Sequence, residues 1–207
     1  KKKKIIFFHL PKNAGSAVAN LLVRNESFYY TKIIFSKFLK NFSKKDNFFF
    51  DHNQKKLHFF RSHESIKYIE KLISEEIFKN YFKFVIVRNP YSRFVSRYNY
   101  TKLIYKNNNL KFHDFLKNHI KSNLLTDHQY QFLLNSNNEI GVNKIIKFEN
   151  LGKDLEKISN EIKVDPGMLR KVNVSTYDNY RNYYDNETKK IVENFSYEDL
   201  NFFDYTF

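Results

Sequence analysis

The chain has 207 residues, a length that suits one domain with a full core. It contains no cysteine, which excludes disulfides and thiolate chemistry, and no apolar run approaches the roughly 18–20 residues of a membrane span. The net charge of +14 is compatible with a polyanionic partner, but a solvated lysine surface accounts for it equally well, because Lys, Asn, Ile, Phe and Tyr dominate as A/T-rich coding would make them.

Residues 1–8 pair four lysines with four apolar residues, as a signal peptide begins. The apolar stretch is too short, and Pro11-Lys12-Asn13 ends it, so a cytoplasmic protein is expected. Residues 5–9 read as a buried strand, followed by a helix over 15–24. Residues 31–56 are ambiguous: Ile33, Ile34, Phe38, Leu39 and Phe42 fit a helical stripe that gives way to a polar loop. A second strand is predicted at 56–60. Ile66, Ile69, Leu72 and Ile73 recur at helical spacing, residues 82–87 read as a third strand, and Pro90 opens a helix over 91–105. Further helices are predicted over 110–120, 151–162 and 187–195, with a fourth strand at 144–148. Strands alternating with helices predict a single α/β domain over 1–207, with a central parallel sheet flanked by helices on both faces.

Two strand-turn-helix segments carry the chemistry. In the first, Pro11-Lys12-Asn13-Ala14-Gly15-Ser16 leads from a strand into a helix. Free N–H groups and the helix dipole make such a terminus an anion site. Gly15 permits close backbone approach, Ser16 offers a hydroxyl, and Lys12 is a mobile point charge. The lysine precedes the glycine, so this is not the Walker pattern. In the second segment, Arg88 ends the strand and Pro90 begins the helix. Ser92 and Ser96 share a helix face, and Arg88 with Ser96 can meet on one phosphate. Arg93 and Arg97 read as solvated helix charges. Both turns fall at the C-terminal ends of strands, where open α/β sheets bind ligands. On neighbouring strands they would grip two phosphates of one nucleotide.

These segments resemble the nucleotide-binding loops of sulfotransferases that use 3′-phosphoadenylyl sulfate (PAPS). The resemblance is strongest to the carbohydrate group that includes heparan and chondroitin sulfate sulfotransferases and bacterial relatives. His9 to Ser16 is similar to the 5′-phosphosulfate loop of that group. Val87 to Tyr98 is similar to its 3′-phosphate segment, with the family's Arg-to-Ser spacing. Asn173, Ser175, Tyr183-Tyr184, Glu187-Thr188 and the stretch from Asp199 to Tyr205 fit its C-terminal run. The resemblance implies a P-loop-like fold. It implies that Lys12, Gly15 and Ser16 hold the 5′-phosphosulfate, with backbone N–H contacts from Asn13, Ala14 and Ala17, and that Arg88 and Ser96 hold the 3′-phosphate. Asn13 and Ser16 stand where relatives often carry Thr, and both keep a polar side chain. A nucleotide co-substrate and a hydroxyl-bearing acceptor, preferably a glycan, are the implied partners; the family needs no metal.

Sulfuryl transfer requires a base for the acceptor hydroxyl. His63, just after the second strand, is placed where relatives of the heparan 2-O-sulfotransferase type carry a catalytic histidine. Glu64 is the alternative, since other sulfotransferases use Glu. His52 and His58 are weaker candidates, and His9 reads as structural. Arg61 and the lysines of 37–56 are candidates for an anionic acceptor but read as a solvated loop. Tyr180, Arg181, Tyr183 and Tyr184 fit a sugar-binding face, a nucleotide cover or ordinary core. Two rival functions stand beside this one. A nucleotide kinase would need Gly-Lys-Ser/Thr and an acidic Mg²⁺ ligand after a strand, and neither is evident. A non-catalytic nucleic-acid-binding protein would explain the charge and the interleaved aromatics, but not two phosphate turns in order.

Overall fold

The run Phe82–Val87 is buried from Lys83 onwards, as a strand covered on both faces must be. In the computed structural model, which describes residues 4–24, 46–51, 56–61, 63–168 and 179–207, the strands are β1 (Ile5–Phe8), β2 (Asp46–Asp51), β3 (Lys56–Arg61), β4 (Phe82–Val87) and β5 (Lys144–Lys147). The helices are α1 (Gly15–Arg24), α2 (Ile66–Leu72), α3 (Glu75–Asn80), α4 (Pro90–Tyr105), α5 (Phe112–Lys121), α6 (Gln129–Phe132), α7 (Leu151–Lys157), α8 (Ser159–Ile162), α9 (Asn186–Phe195) and α10 (Tyr197–Phe202).

Strands β1, β4 and β5 form a parallel sheet with β4 in the middle. Alternate residues of β4 face opposite layers. Phe84 and Ile86, with Ile5 and Ile146, pack against Val18, Leu21 and Leu22 of α1 and Leu155 and Ile162 of α7 and α8. Val85 and Val87, with Phe8, pack against Ile66 and Ile69 of α2, Ile77 of α3 and Phe132 of α6. Helices therefore cover both faces of the sheet, as the alternation of strands and helices predicts. A third cluster joins Tyr91, Phe94, Val95 and Tyr98 of α4 to Phe112, Phe115 and Leu116 of α5 and Val192 of α9. Each fully buried apolar side chain of this kind contributes about 1.5–3 kcal/mol.

Three expectations change. The strand predicted at 56–60 is β3, but it pairs antiparallel with β2 in a separate two-stranded sheet. Only residues 52–55 separate the two strands, too few for the crossover that a parallel partner needs. Asp46–Asp51, expected within a polar loop, is its partner strand. The helix predicted over 151–162 is two, interrupted at Ile158, whose φ of −113° and ψ of 11° are not helical. Tyr183 and Tyr184 belong to the third aromatic cluster: Tyr184 packs edge-on against Tyr91, Phe112 and Phe207, and its hydroxyl donates to the Tyr91 carbonyl at 2.9 Å. The helix expected over 33–42, His52, Asn173 and Ser175 lie outside the described residues, and β2 and β3 are described as backbone. Among the described residues, no helix is long and apolar enough to cross a membrane.

Candidate active site at the ends of two parallel strands

Parallel pairing runs from Ile5↔Phe82 to Phe8↔Val85. The chain leaves both strands at the same sheet end, so the two phosphate-type turns lie side by side. In the first turn Lys12 and Ala14 have φ of 67° and 59°, the left-handed region, and the backbone doubles back into α1. Gly15 is required by packing rather than by φ: a Cβ there would lie 1.8 Å from Cδ2 of His9. The N–H groups of Ala17 and Val18 both donate to the Ala14 carbonyl, at 3.0 and 3.2 Å. Those of Gly15 and Ser16, in the first turn, have no intrahelical carbonyl to reach. Ser16 is exposed.

Asn13 points the other way. It is fully buried, and its Nδ2 donates to the Ile86 carbonyl and to Gln129 Oε1, both at 2.8 Å. Gln129, also fully buried, accepts at the same Oε1 from Arg88 N at 3.0 Å. Its Nε2 donates to the Arg88 carbonyl at 2.8 Å and to Asp199 Oδ2 at 3.3 Å. The Asp199 carboxylate also receives the N–H groups of Gln129 and Tyr130 at 3.0 and 2.7 Å. Burial pushes the Asp199 carboxyl above its ordinary range, against the pull of those donors.

The second turn is held from both sides. Asn89 caps α4 by accepting from Tyr91 N at 3.0 Å, with Pro90 in the first helical position. Asn89 N donates to Glu149 at 2.8 Å, and Nδ2 donates to the Thr206 carbonyl. Arg88 donates from Nε and Nη2 to Ser92 Oγ at 3.0 and 2.7 Å and from Nη1 to the Lys12 carbonyl at 3.1 Å, while its guanidinium lies 4.1 Å from the centre of the Phe148 ring. Arg88 thus ties the second turn to the first, and its serine partner is Ser92. Ser96, one turn further along α4, is buried.

Arg93 and Arg97 are not solvated charges. Arg93 is buried and donates to the carbonyls of Pro11 at 3.1 Å, Asp127 at 3.2 Å and Thr126. Arg97 Nη2 lies 2.9 Å from Asp127 Oδ1, and His119 Nε2 lies 2.8 Å from Oδ2. Burial alone would raise the Asp127 carboxyl; His119 and the two guanidiniums hold it below its usual range. The α4 periodicity alone cannot reveal this, because the partners, three carbonyls and the Asp127 carboxylate, lie far along the chain.

Positive charge therefore gathers around Lys12. Burial, and then Arg88 and Arg97, lower its pKa to about 8. Its Nζ sits 4.1 Å from the centre of the Tyr100 ring. His63 precedes α2 and reaches the first turn. Its Nδ1 lies 2.7 Å from the His9 carbonyl, and its ring packs edge-on against that of His9 at 4.6 Å. Burial, with Arg97 and Arg93, lowers the His63 pKa, and the bond to the His9 carbonyl opposes this. The His9 ring lies against Gly15, and the His9 carbonyl faces His63. Glu64 is half-buried and follows His63.

Lys12, Gly15, Ser16, Arg88 and His63 thus come to one sheet end, whereas the Asn13 side chain belongs to the scaffold beneath it. Gln129 and Asp127 carry no local motif, and sequence reasoning missed them; Asp199 belongs to the C-terminal run noted in the sequence, but its place beneath the turns did not follow from it. The profile of the sulfotransferase family matches residues 1–206. An uncharacterized protein of Archaeoglobus fulgidus is 34% identical over 113 residues, which cover 55% of this chain and 93% of that protein. No solved structure gives a significant match. With two strand-turn-helix segments on paired parallel strands and a family match along almost the whole chain, the protein belongs to the sulfotransferase family.

Proposed function

We propose that the protein transfers the sulfuryl group of PAPS to an acceptor hydroxyl, with a carbohydrate as the acceptor class. The observation that carries this reading is the cluster of cations at the ends of β1 and β4. Lys12, Arg88 and Arg97 stand together: burial first, and then the two guanidiniums, lower the Lys12 pKa to about 8, and an anionic ligand relieves the repulsion part of that shift. In this reading Lys12, Gly15 and Ser16 hold the 5′-phosphosulfate, with the N–H groups of Asn13 and Ala14; Ala17 shares its N–H with the Ala14 carbonyl. Arg88 and Ser96 take the 3′-phosphate.

His63 is the general base. Its Nδ1 faces a carbonyl, so Nε2 carries the free lone pair. In the transfer step the acceptor oxygen forms a bond to sulfur as its proton passes to His63 Nε2. The bond from sulfur to the bridging oxygen breaks, and the charge left on the 5′-phosphate is met by Lys12.

The test is thermal melting with 3′-phosphoadenosine 5′-phosphate against ADP and Mg²⁺-ATP, because a ligand that binds only the folded state raises the melting temperature. The bisphosphate is expected to stabilise strongly and Mg²⁺-ATP weakly. Equal stabilisation by Mg²⁺-ATP would favour a kinase, and indifference to every nucleotide a polyanion-binding protein. Labelled sulfuryl transfer to a saccharide panel then tests the acceptor class.

A further inference from the structure

We infer that Gln129 is the positioning residue that sets the distance between the two phosphate-binding turns, and so makes the two phosphates of one nucleotide bind cooperatively. The inference rests on the nucleotide reading above. The sheet itself does not set that distance. Its last β1–β4 pair is Phe8↔Val85, and the binding residues Lys12 and Arg88 lie beyond it, where the ladder has ended. The Gln129 amide stands in for the missing ladder. It exchanges two hydrogen bonds with the backbone N–H and carbonyl of Arg88, as a neighbouring strand would, and through the same Oε1 it holds Asn13 of the first turn.

Three features separate this residue from ordinary buried polar packing. Gln129 lies in neither turn, so it can hold both without touching the ligand. Its amide is engaged on both sides by both turns and by Asp199, leaving one orientation consistent with the donors and acceptors around it. Its backbone is anchored independently, since the Asp199 carboxylate on α10 receives the N–H groups of Gln129 and Tyr130. A link of this kind passes the ordering of one turn by its phosphate to the other turn, which is positive coupling between two subsites.

The experiment compares the affinities of 3′-phosphoadenosine 5′-phosphate, adenosine 5′-phosphate, adenosine 3′-phosphate and adenosine, by calorimetry, for the full chain and three variants. In the wild type the bisphosphate is expected to bind more tightly than the product of the single-phosphate gains predicts. Gln129→Leu removes every amide bond, and Gln129→Glu sets a carboxylate oxygen against the Arg88 carbonyl and Asp199. Both should lower that excess by about tenfold, with smaller changes for each monophosphate. Asn13→Ala removes the first turn's bonds to Gln129 and to the Ile86 carbonyl and leaves Gln129 on Arg88, so it should give at least the same loss, also if the Gln129 variants fold poorly. A merely structural role would weaken all four ligands in proportion. Proportional weakening, or an excess unchanged in Asn13→Ala, overturns the inference while leaving the nucleotide reading intact. A wild type that binds the bisphosphate no better than adenosine overturns both.

Discussion

His63 Nδ1 lies 2.7 Å from the carbonyl oxygen of His9. A carbonyl only accepts, so the imidazole carries its proton on Nδ1 and leaves Nε2 free to receive one. His63→Ala is predicted to lower turnover by about 10²–10⁴-fold, with the affinity for 3′-phosphoadenosine 5′-phosphate nearly unchanged. Burial lowers the His63 pKa, so the imidazole stays neutral below the ordinary histidine value of about 6.5. The acid limb of kcat/KM should therefore fall below that pH. A His63→Ala protein with full turnover would remove the base assignment.

Lys12 has its pKa pushed down to about 8 by burial and by Arg88 and Arg97. In the proposed transfer its proton meets charge on the leaving phosphate. Since kcat/KM reports the free enzyme, it should decline as pH rises through that value. Lys12→Arg keeps its proton throughout, so the decline should vanish even if the rate is low. Lys12→Ala should lose most turnover at every pH. A basic limb unchanged in Lys12→Arg would assign it to another group.

The His9 ring occupies the space that a side chain at Gly15 would need. Gly15→Ala is predicted to destabilise by about 1–3 kcal/mol, the range for overpacking, and to cost much less in a His9→Ala background. Urea unfolding of the four proteins measures the coupling; additive effects would show that the clash relaxes elsewhere. Burial, and then His63, pull the His9 pKa to about 4. Between that value and about 6.5 the unfolded chain binds more protons than the folded one, so stability should fall as pH drops through this window, by on the order of 3 kcal/mol. His9→Gln should flatten the slope.

Arg93 fastens α4 to the carbonyls of Pro11, Thr126 and Asp127. Arg93→Met leaves these acceptors buried and thins the cationic side of Asp127. The predicted loss is about 3–5 kcal/mol, against about 0.5 kcal/mol or less for a surface arginine. Arg93→Lys should rescue only part, because an ammonium lacks the planar fork of donors. Denaturant midpoints decide between the two scales.

The two strand-turn-helix segments are legible in the chain because their determinants are local. Apolar runs at Ile5–Phe8 and Phe82–Val87, an asparagine cap with proline after it, and a lysine-to-serine turn all act within a few residues. The same locality explains the α1, α4 and α9 helices. It also explains what went astray: the Asp46–Asp51 strand declares itself only when Lys56–Arg61 pairs with it, and Ile158 breaks a helix whose apolar period continues across it.

The amino-acid sequence by itself determined which residues form the two turns and that strands and helices alternate. Tertiary structure alone decided that β1 and β4 are neighbours, which places Lys12 beside Arg88 although 76 positions separate them. It also decided which polar residues go inside. Gln129 reaches Asn13 across 116 positions and Asp199 across 70, and Arg93 reaches Pro11 across 82. A polar side chain read locally belongs on the surface. It is buried only where distant donors and acceptors satisfy it, and that match exists only after the chain has folded.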